Sequence, residues 1–320
     1  MCLAVLGEDR PDQVWLHMSW LPYAALAAAL TSVIAILDKV LLERLFRDGW
    51  SYIFLVSVFN GLYAWIVLVV RLLQGKLPPV PWWVFVVAVL PGLLGFIGGY
   101  FHTQALLRTD AAVVSALNQI VPFFALLWSV WLLGDSFAPQ QYLGVAVVVL
   151  CCALLGLERD AGSTRHRLNV AVWWVLVAAL LRSVGDLAVK LTLASQDVWG
   201  TYGLGRLVLL PIASLMLTNR HYRLCVTRRL RSNGTQVVLA MAGLELLAFV
   251  AQWLGIFSYS RGPLPLVSSI LHLTPVFVLA ITWGLNGLKA GLIPERANGQ
   301  NRWTQLMLVS GVVLGAWLLR

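Results

Sequence analysis

The residues able to do chemistry in this 320-residue chain are few, and nearly all lie inside apolar runs. Glu245 stands alone in LAMAGLELLAF, and Gln252 follows one heptad later. Arg182, Asp186 and Lys190 recur every four residues, a spacing that stacks a plus, minus, plus ladder on one face of a helix. Arg206 lies in the next run, His102 and Gln104 close an earlier one, and Asn118 and Gln119 are followed by Pro122. His272 is followed by Pro275 in the same way, and Asn60 is a lesser candidate. A charge at bilayer depth is costly and usually faces a partner or a wet cavity. Two readings of these groups are open. Asp186 bridged by Arg182 and Arg206 paired with Glu245 would simply lock helices together. Alternatively they line a solute path, and Glu245, whose charged form is penalised by low-dielectric surroundings, exchanges protons as the solute moves. His102 and His272 fit proton shuttling near neutral pH, or ordinary buried hydrogen bonding.

Other chemistries find no support in the pattern. His102 and His272 sit in separate runs with no acidic or cysteine ligand at metal-binding spacing. Cys2, Cys151, Cys152 and Cys225 contain no CxxC and suggest neither a disulfide framework nor a zinc site. HExxH, GxSxG and the phosphate loop GxxxxGK[ST] are all missing, so we expect no enzyme, no ATP drive, no metal and no cofactor. The net charge of +9 comes from arginines flanking apolar runs rather than from a nucleic-acid-binding fold, so no nucleic-acid partner is expected.

The elements that must position these residues are set by composition. Hydrophobic residues make up 60% and charged residues 12%, with a mean hydropathy of +0.82; soluble domains are roughly a quarter charged. This is the composition of a polytopic membrane protein. A bilayer core of about 30 Å needs roughly 20 apolar residues per helix, and backbone polar groups in lipid must be satisfied internally. Ten such spans are predicted, at residues 20–42, 52–73, 81–106, 111–134, 139–157, 168–193, 199–219, 235–259, 263–286 and 303–319. The stretches LERDAGSTRHR and TNRHYRLCVTRRLRSNG read as basic linkers. The first residues carry Glu8, Asp9, Arg10 and Asp12 and lack the form of a cleaved signal peptide. Most of the 15 tryptophans read as an interfacial belt.

The chain also repeats itself. RTDAAVVSALNQIVPFF at 108–124 and RGPLPLVSSILHLTPVF at 261–277 place Arg108, Val114, Ser115, Pro122 and Phe124 on Arg261, Val267, Ser268, Pro275 and Phe277. TSVIAILDKVLL aligns with RSVGDLAVKLTL, bringing Ser32 and Lys39 onto Ser183 and Lys190; Asp48 and Trp50 similarly meet Asp197 and Trp199. The fold class read from this is all-α integral membrane, with ten transmembrane helices as two inverted five-helix repeats. An N-terminal tail fills 1–19, the repeats fill 20–157 and 168–320, and 158–167 links them. A five-helix unit ends on the side opposite to where it began, so its copy enters inverted. This is a construction of secondary transporters, whose substrate sites lie at the midplane between halves beside interrupted helices. Pro122 and Pro275 should each kink a helix there by removing a backbone donor.

Ten spans in two halves, a lysine late in the first helix of each half (Lys39, Lys190) and the pattern leading to Pro122 resemble the EamA-type members of the drug/metabolite transporter superfamily. The resemblance runs from about residue 20 to 319. It implies secondary transport of a small organic metabolite or drug-like solute, more often export, through a cavity lined by the third and fourth helices of each half. It also implies an acidic residue after the fourth helix, matched by Asp135 in WLLGDSF, whereas the second half has Asn286 in WGLNGLK. The expected partners are the solute and membrane lipid, in a multi-pass cell membrane setting. The alternative function is a non-transporting membrane subunit that stabilises or presents a partner; its bundle interior would be free of polar groups. Most Lys and Arg outside the spans sit on the connections after spans 1, 3, 5, 7 and 9, which places those connections in the cytoplasm and both termini outside. The family resemblance implies the reverse.

Overall fold

The computed structural model describes residues 20–46, 49–76, 79–108, 114, 117–158, 167–168, 170–274, 277–278, 281 and scattered positions between 307 and 318. The N-terminal tail, Pro275, Asn286 and most of the tenth predicted span lie outside the described residues. The helices are α1 (Leu21–Leu41), α2 (Gly49–Leu73), α3 (Trp82–Leu106), α4 (Val121–Trp128), α5 (Pro139–Gly156), α6 (Val170–Leu193), α7 (Val198–Arg206), α8 (Leu209–Met216), α9 (Arg220–Arg261) and α10 (Leu264–Leu271). The described fold is helical throughout, apart from a two-residue antiparallel ladder that pairs Leu157 with Leu168 and Glu158 with Arg167 where a plain linker was expected.

Among the described residues six segments are long and apolar enough to cross a membrane: Leu21–Phe46, Gly49–Leu73, Trp82–Leu106, Val172–Thr192, Val198–Met216 and Gly234–Arg261. The chain is therefore a multi-pass membrane protein. Six is fewer than the ten spans expected. The fourth is present as a shorter apolar stretch, Asn118–Leu133, and is not one continuous α-helix. A 3-10 turn at Asn118–Ile120 precedes α4, which carries Pro122 in its first turn and continues into a π-turn at Ser129–Leu133. The seventh expected span is likewise split. α7 ends at Arg206 and α8 starts at Leu209, because Pro211 has no N–H and its ring would clash with the carbonyl of Leu207.

The segment 220–234, whose sequence suggests a linker, is helical and continuous in secondary structure with the span that follows. Asn219 caps its start by accepting from His221 N at 2.9 Å, and the segment contains no proline to stop it. Asp197 caps α7 in the same manner, accepting from Gly200 N at 2.9 Å. That aspartate also pairs with Arg71 of α2 at 2.6 Å.

Packing joins the two halves of the chain. α1 packs on α9 and α10, α6 packs on α3 and α4, α2 packs on α7 and α8, and α4 meets α10. Apolar side chains gather at both ends of the bundle. Leu42, Phe46, Tyr52, Met216, Val226 and Met241 belong to one cluster, and Ala24, Leu187, Tyr202, Ile256, Tyr259 and Leu264 to another. Glycines let backbones meet: a Cβ on Gly92 of α3 would lie 2.3 Å from the carbonyl oxygen of Gly205 in α7.

Candidate functional site

α3 and α6 pack along their lengths, and α3 brings Pro91 and Gly98 of its glycine-rich sequence PGLLGFIGG to that contact. Gly98 approaches the Ala178 carbonyl of α6, where a Cβ would stand 3.4 Å away, whereas Cβ atoms on Gly95 and Gly99 would meet nothing within 4 Å. The missing side chains leave room. A cavity of about 280 Å³ opens there, lined by Gly95 and Gly99 and by the polar side chains of His102, Asn118, Arg182, Asp186, Arg206 and Gln252. A second cavity of about 150 Å³ shares Arg206, Gln252, Gly95 and Gly99 and extends along α2 past Ser57 and Asn60.

Six of the ten polar residues singled out from the sequence thus meet in one space. Arg182 and Asp186 occupy successive turns of α6, and Arg206 ends α7, its guanidinium 4.8 Å from the Tyr202 ring centroid. Asn118 comes from the 3-10 turn, with its amide nitrogen 3.4 Å from His102 Nδ1. Gln252 projects from α9. Several polar atoms here have no protein hydrogen-bond partner: Arg206 Nη1, Asp186 Oδ2 and Gln252 Oε1. Buried polar atoms are nearly always satisfied, so this donor and these acceptors are available to water or a solute.

The remaining four lie elsewhere. Gln104 accepts from Arg108 Nη1 at 2.7 Å and sits beside Gly49, away from the cavity. Glu245 is buried on α9 and accepts a hydrogen bond from the Asn60 amide of α2. Gln119 and His272 are buried where helices break, Gln119 in the 3-10 turn and His272 at the end of α10. They are separated by the same 153 residues as Pro122 and Pro275. Each holds a buried nitrogen, Gln119 Nε2 and His272 Nε2, without a hydrogen-bond partner; His272 Nδ1 lies 2.7 Å from the Ser268 carbonyl.

The helix-locking ion pairs are not formed. Among the described residues the ion pairs are Lys39–Glu43 at 3.1 Å and Arg71–Asp197 at 2.6 Å; Arg206 does not pair with Glu245, nor Arg182 with Asp186. Lys190 leaves the α6 ladder altogether and donates to the carbonyls of Tyr259 and Gly262, both at 2.8 Å. Lys39 donates to the Leu106 carbonyl at the end of α3. The two lysines therefore do the same work, satisfying orphan carbonyls where a helix ends, with favourable charge for that end of its dipole. Leu106 and Tyr259 are also 153 apart.

Sequence reading missed Asp38, whose carboxylate accepts from the Tyr52 hydroxyl inside the bundle. Its signal in the sequence is a carboxylate at span depth, directly before Lys39.

Residues 18–157, covering α1 to α5, match the model of the EamA-like transporter family. A crystal structure of a protein 19% identical aligns with 92% of this chain and 96% of its own, with a TM-score of 0.51, and shares the fold. No curated protein matches the chain.

Proposed function

We propose that the chain is a secondary carrier that moves a small organic solute with an anionic or zwitterionic part, built from ten spans as two inverted five-helix repeats, 20–157 and 168–320. The observation that carries the solute class is the cavity itself, where Arg206 Nη1, Asp186 Oδ2 and Gln252 Oε1 lack partners. A carboxylate on the solute would satisfy the guanidinium; an ammonium would satisfy Asp186. The volume of about 280 Å³ lies just below the roughly 300–1,000 Å³ range of drug-sized pockets, which favours a metabolite over a larger compound.

Support for the duplicated plan comes from packing that is unchanged when the halves are exchanged. The first helix of each half lies on the third and fourth of the other, and Lys39 and Lys190 hold equivalent carbonyls. In inverted-repeat carriers the substrate site lies near the midplane between the halves. Export across the cell membrane follows from the family resemblance. A non-transporting subunit would have little use for unpaired charges in a cavity.

A binder stabilises the folded state in proportion to occupancy, so thermal denaturation of the purified protein against panels of zwitterionic, anionic, cationic and neutral metabolites tests the reading. We expect stabilisation by zwitterionic or anionic compounds and its loss in Arg206→Gln. Stabilisation by cations alone, or an Arg206→Gln variant that binds as well as the parent, overturns it.

A further inference from the structure

The start of α9 is placed by two contacts that a straight helix cannot make together. Glu245 meets Asn60 of α2, and Tyr222 meets Trp50 of α2 with ring centroids 4.6 Å apart. Asn60 and Trp50 are ten residues apart, about 15 Å along α2, whereas Glu245 and Tyr222 are 23 apart, about 35 Å along a straight α9. Helix α9 must therefore bend toward α2 between these points, and Ser232, Asn233 and Gly234 are the residues there that allow it. Residues 220–231 then run across the end of the bundle rather than away from it.

This stretch has two faces. Tyr222 and Val226 pack into the apolar cluster at that end of the bundle, beside Trp50 and Tyr100, whose rings stack at 4.4 Å. Arg220, Arg223, Arg228 and Arg231 are exposed, and at 100° per residue they share an arc of about 140° opposite Tyr222 and Val226. No Asp or Glu occurs between Asn219 and Gly234. Leu224 lies within the arginine arc at 55% exposure, and the adjoining Leu215 is 67% exposed, so the same surface offers apolar contact.

We infer that residues 220–231 form an interfacial helix whose Arg220, Arg223, Arg228 and Arg231 bind the phosphates of anionic lipid headgroups in one leaflet. Exposed arginines spread over an arc that reaches both flanks of the helix, an exposed leucine among them and an aromatic cluster on the opposite face are the parts of a membrane-surface helix. The assignment does not depend on what the carrier moves. Each basic residue near an anionic surface contributes about fivefold to binding, so four should matter even with screening.

The test uses the full-length protein in detergent, titrated with phosphatidylglycerol or phosphatidylcholine, with bound lipid read by native mass spectrometry. Phosphatidylglycerol should be retained in preference, the preference should collapse at high salt, and the Arg220→Gln, Arg223→Gln, Arg228→Gln, Arg231→Gln variant should bind it on the order of a hundredfold more weakly. The corresponding four-lysine variant should keep most of the preference. Equal retention of the two lipids, a preference indifferent to salt in the unaltered protein, or displacement by equimolar inorganic phosphate overturns the assignment. Because the salt and phosphate arms use the unaltered protein, they decide the matter even if the glutamine variant fails to fold.

Discussion

Glu245 has a different partner from the one its sequence suggested. A carboxylate and a guanidinium in adjacent apolar runs look like a buried ion pair, yet Asn60 supplies the hydrogen bond and Arg206 faces both cavities. Arg206 thus lines the cavities without pairing to Glu245, and Glu245 stands behind Asn60. Glu245→Gln preserves shape and can still hydrogen-bond Asn60, so stability should change by less than about 1 kcal/mol. If Glu245 couples protons, this variant should still bind and exchange solute across proteoliposomes but lose accumulation driven by a pH gradient. Full gradient-driven accumulation removes Glu245 from coupling and turns attention to Asp38. Asn60→Ala should be worse for the fold, by roughly 1–3 kcal/mol, because it strands a buried carboxylate. Sequence spacing brought out the individual polar groups of the cavity, since charges within spans are conspicuous. Which groups pair was not legible, because pairing depends on how α2, α7 and α9 cross.

At the scale of elements, glycines separate close packing from open space. The sequence GLLGFIGG marks α3 as smooth but does not say which glycine touches what. Gly92 faces the backbone of α7, and an added methyl would sit 2.3 Å from the Gly205 oxygen. Gly92→Ala should therefore destabilise the bundle by about 1–3 kcal/mol, read as a lowered melting temperature with or without solute. Gly99 faces the cavity with nothing within 4 Å. Gly99→Leu should leave the melting temperature of the free protein nearly unchanged and abolish stabilisation by solute, since the new side chain occupies the space. Should Gly99→Leu bind solute normally, the cavity beside α3 is not the binding site. Other elements were harder to read. Apolar length revealed α1, α2, α3 and α6 within a few residues, but the break between α7 and α8 depends on Pro211, and the helical course of 220–234 depends on Tyr222 and Val226 finding the bundle end. Arginine-rich stretches look solvated until tertiary contacts bury one face.

For the whole molecule, the repeat and the charge distribution point to one orientation question. The basic connection after α8 holds five arginines from Arg220 to Arg231, and the positive-inside rule assigns such a connection to the cytoplasm. The connection between α6 and α7 lies at the other end of the bundle, where Asp197 pairs with Arg71. Both sites offer exposed positions, Leu224 and Ser195. In a variant with Cys2, Cys151, Cys152 and Cys225 replaced by Ser, a single cysteine at Leu224 should resist a membrane-impermeant thiol reagent in intact cells and react after permeabilisation. A single cysteine at Ser195 should react in intact cells. The opposite pattern would place both termini in the cytoplasm and the arginine helix on the outer leaflet. Labelling of both positions from the same side would be more consequential, because α7 and α8 together would then fail to cross the membrane. The inverted relation proposed for the halves requires that crossing: the second copy is the reverse of the first only if every element from α1 to α10 keeps its assigned direction through the bilayer.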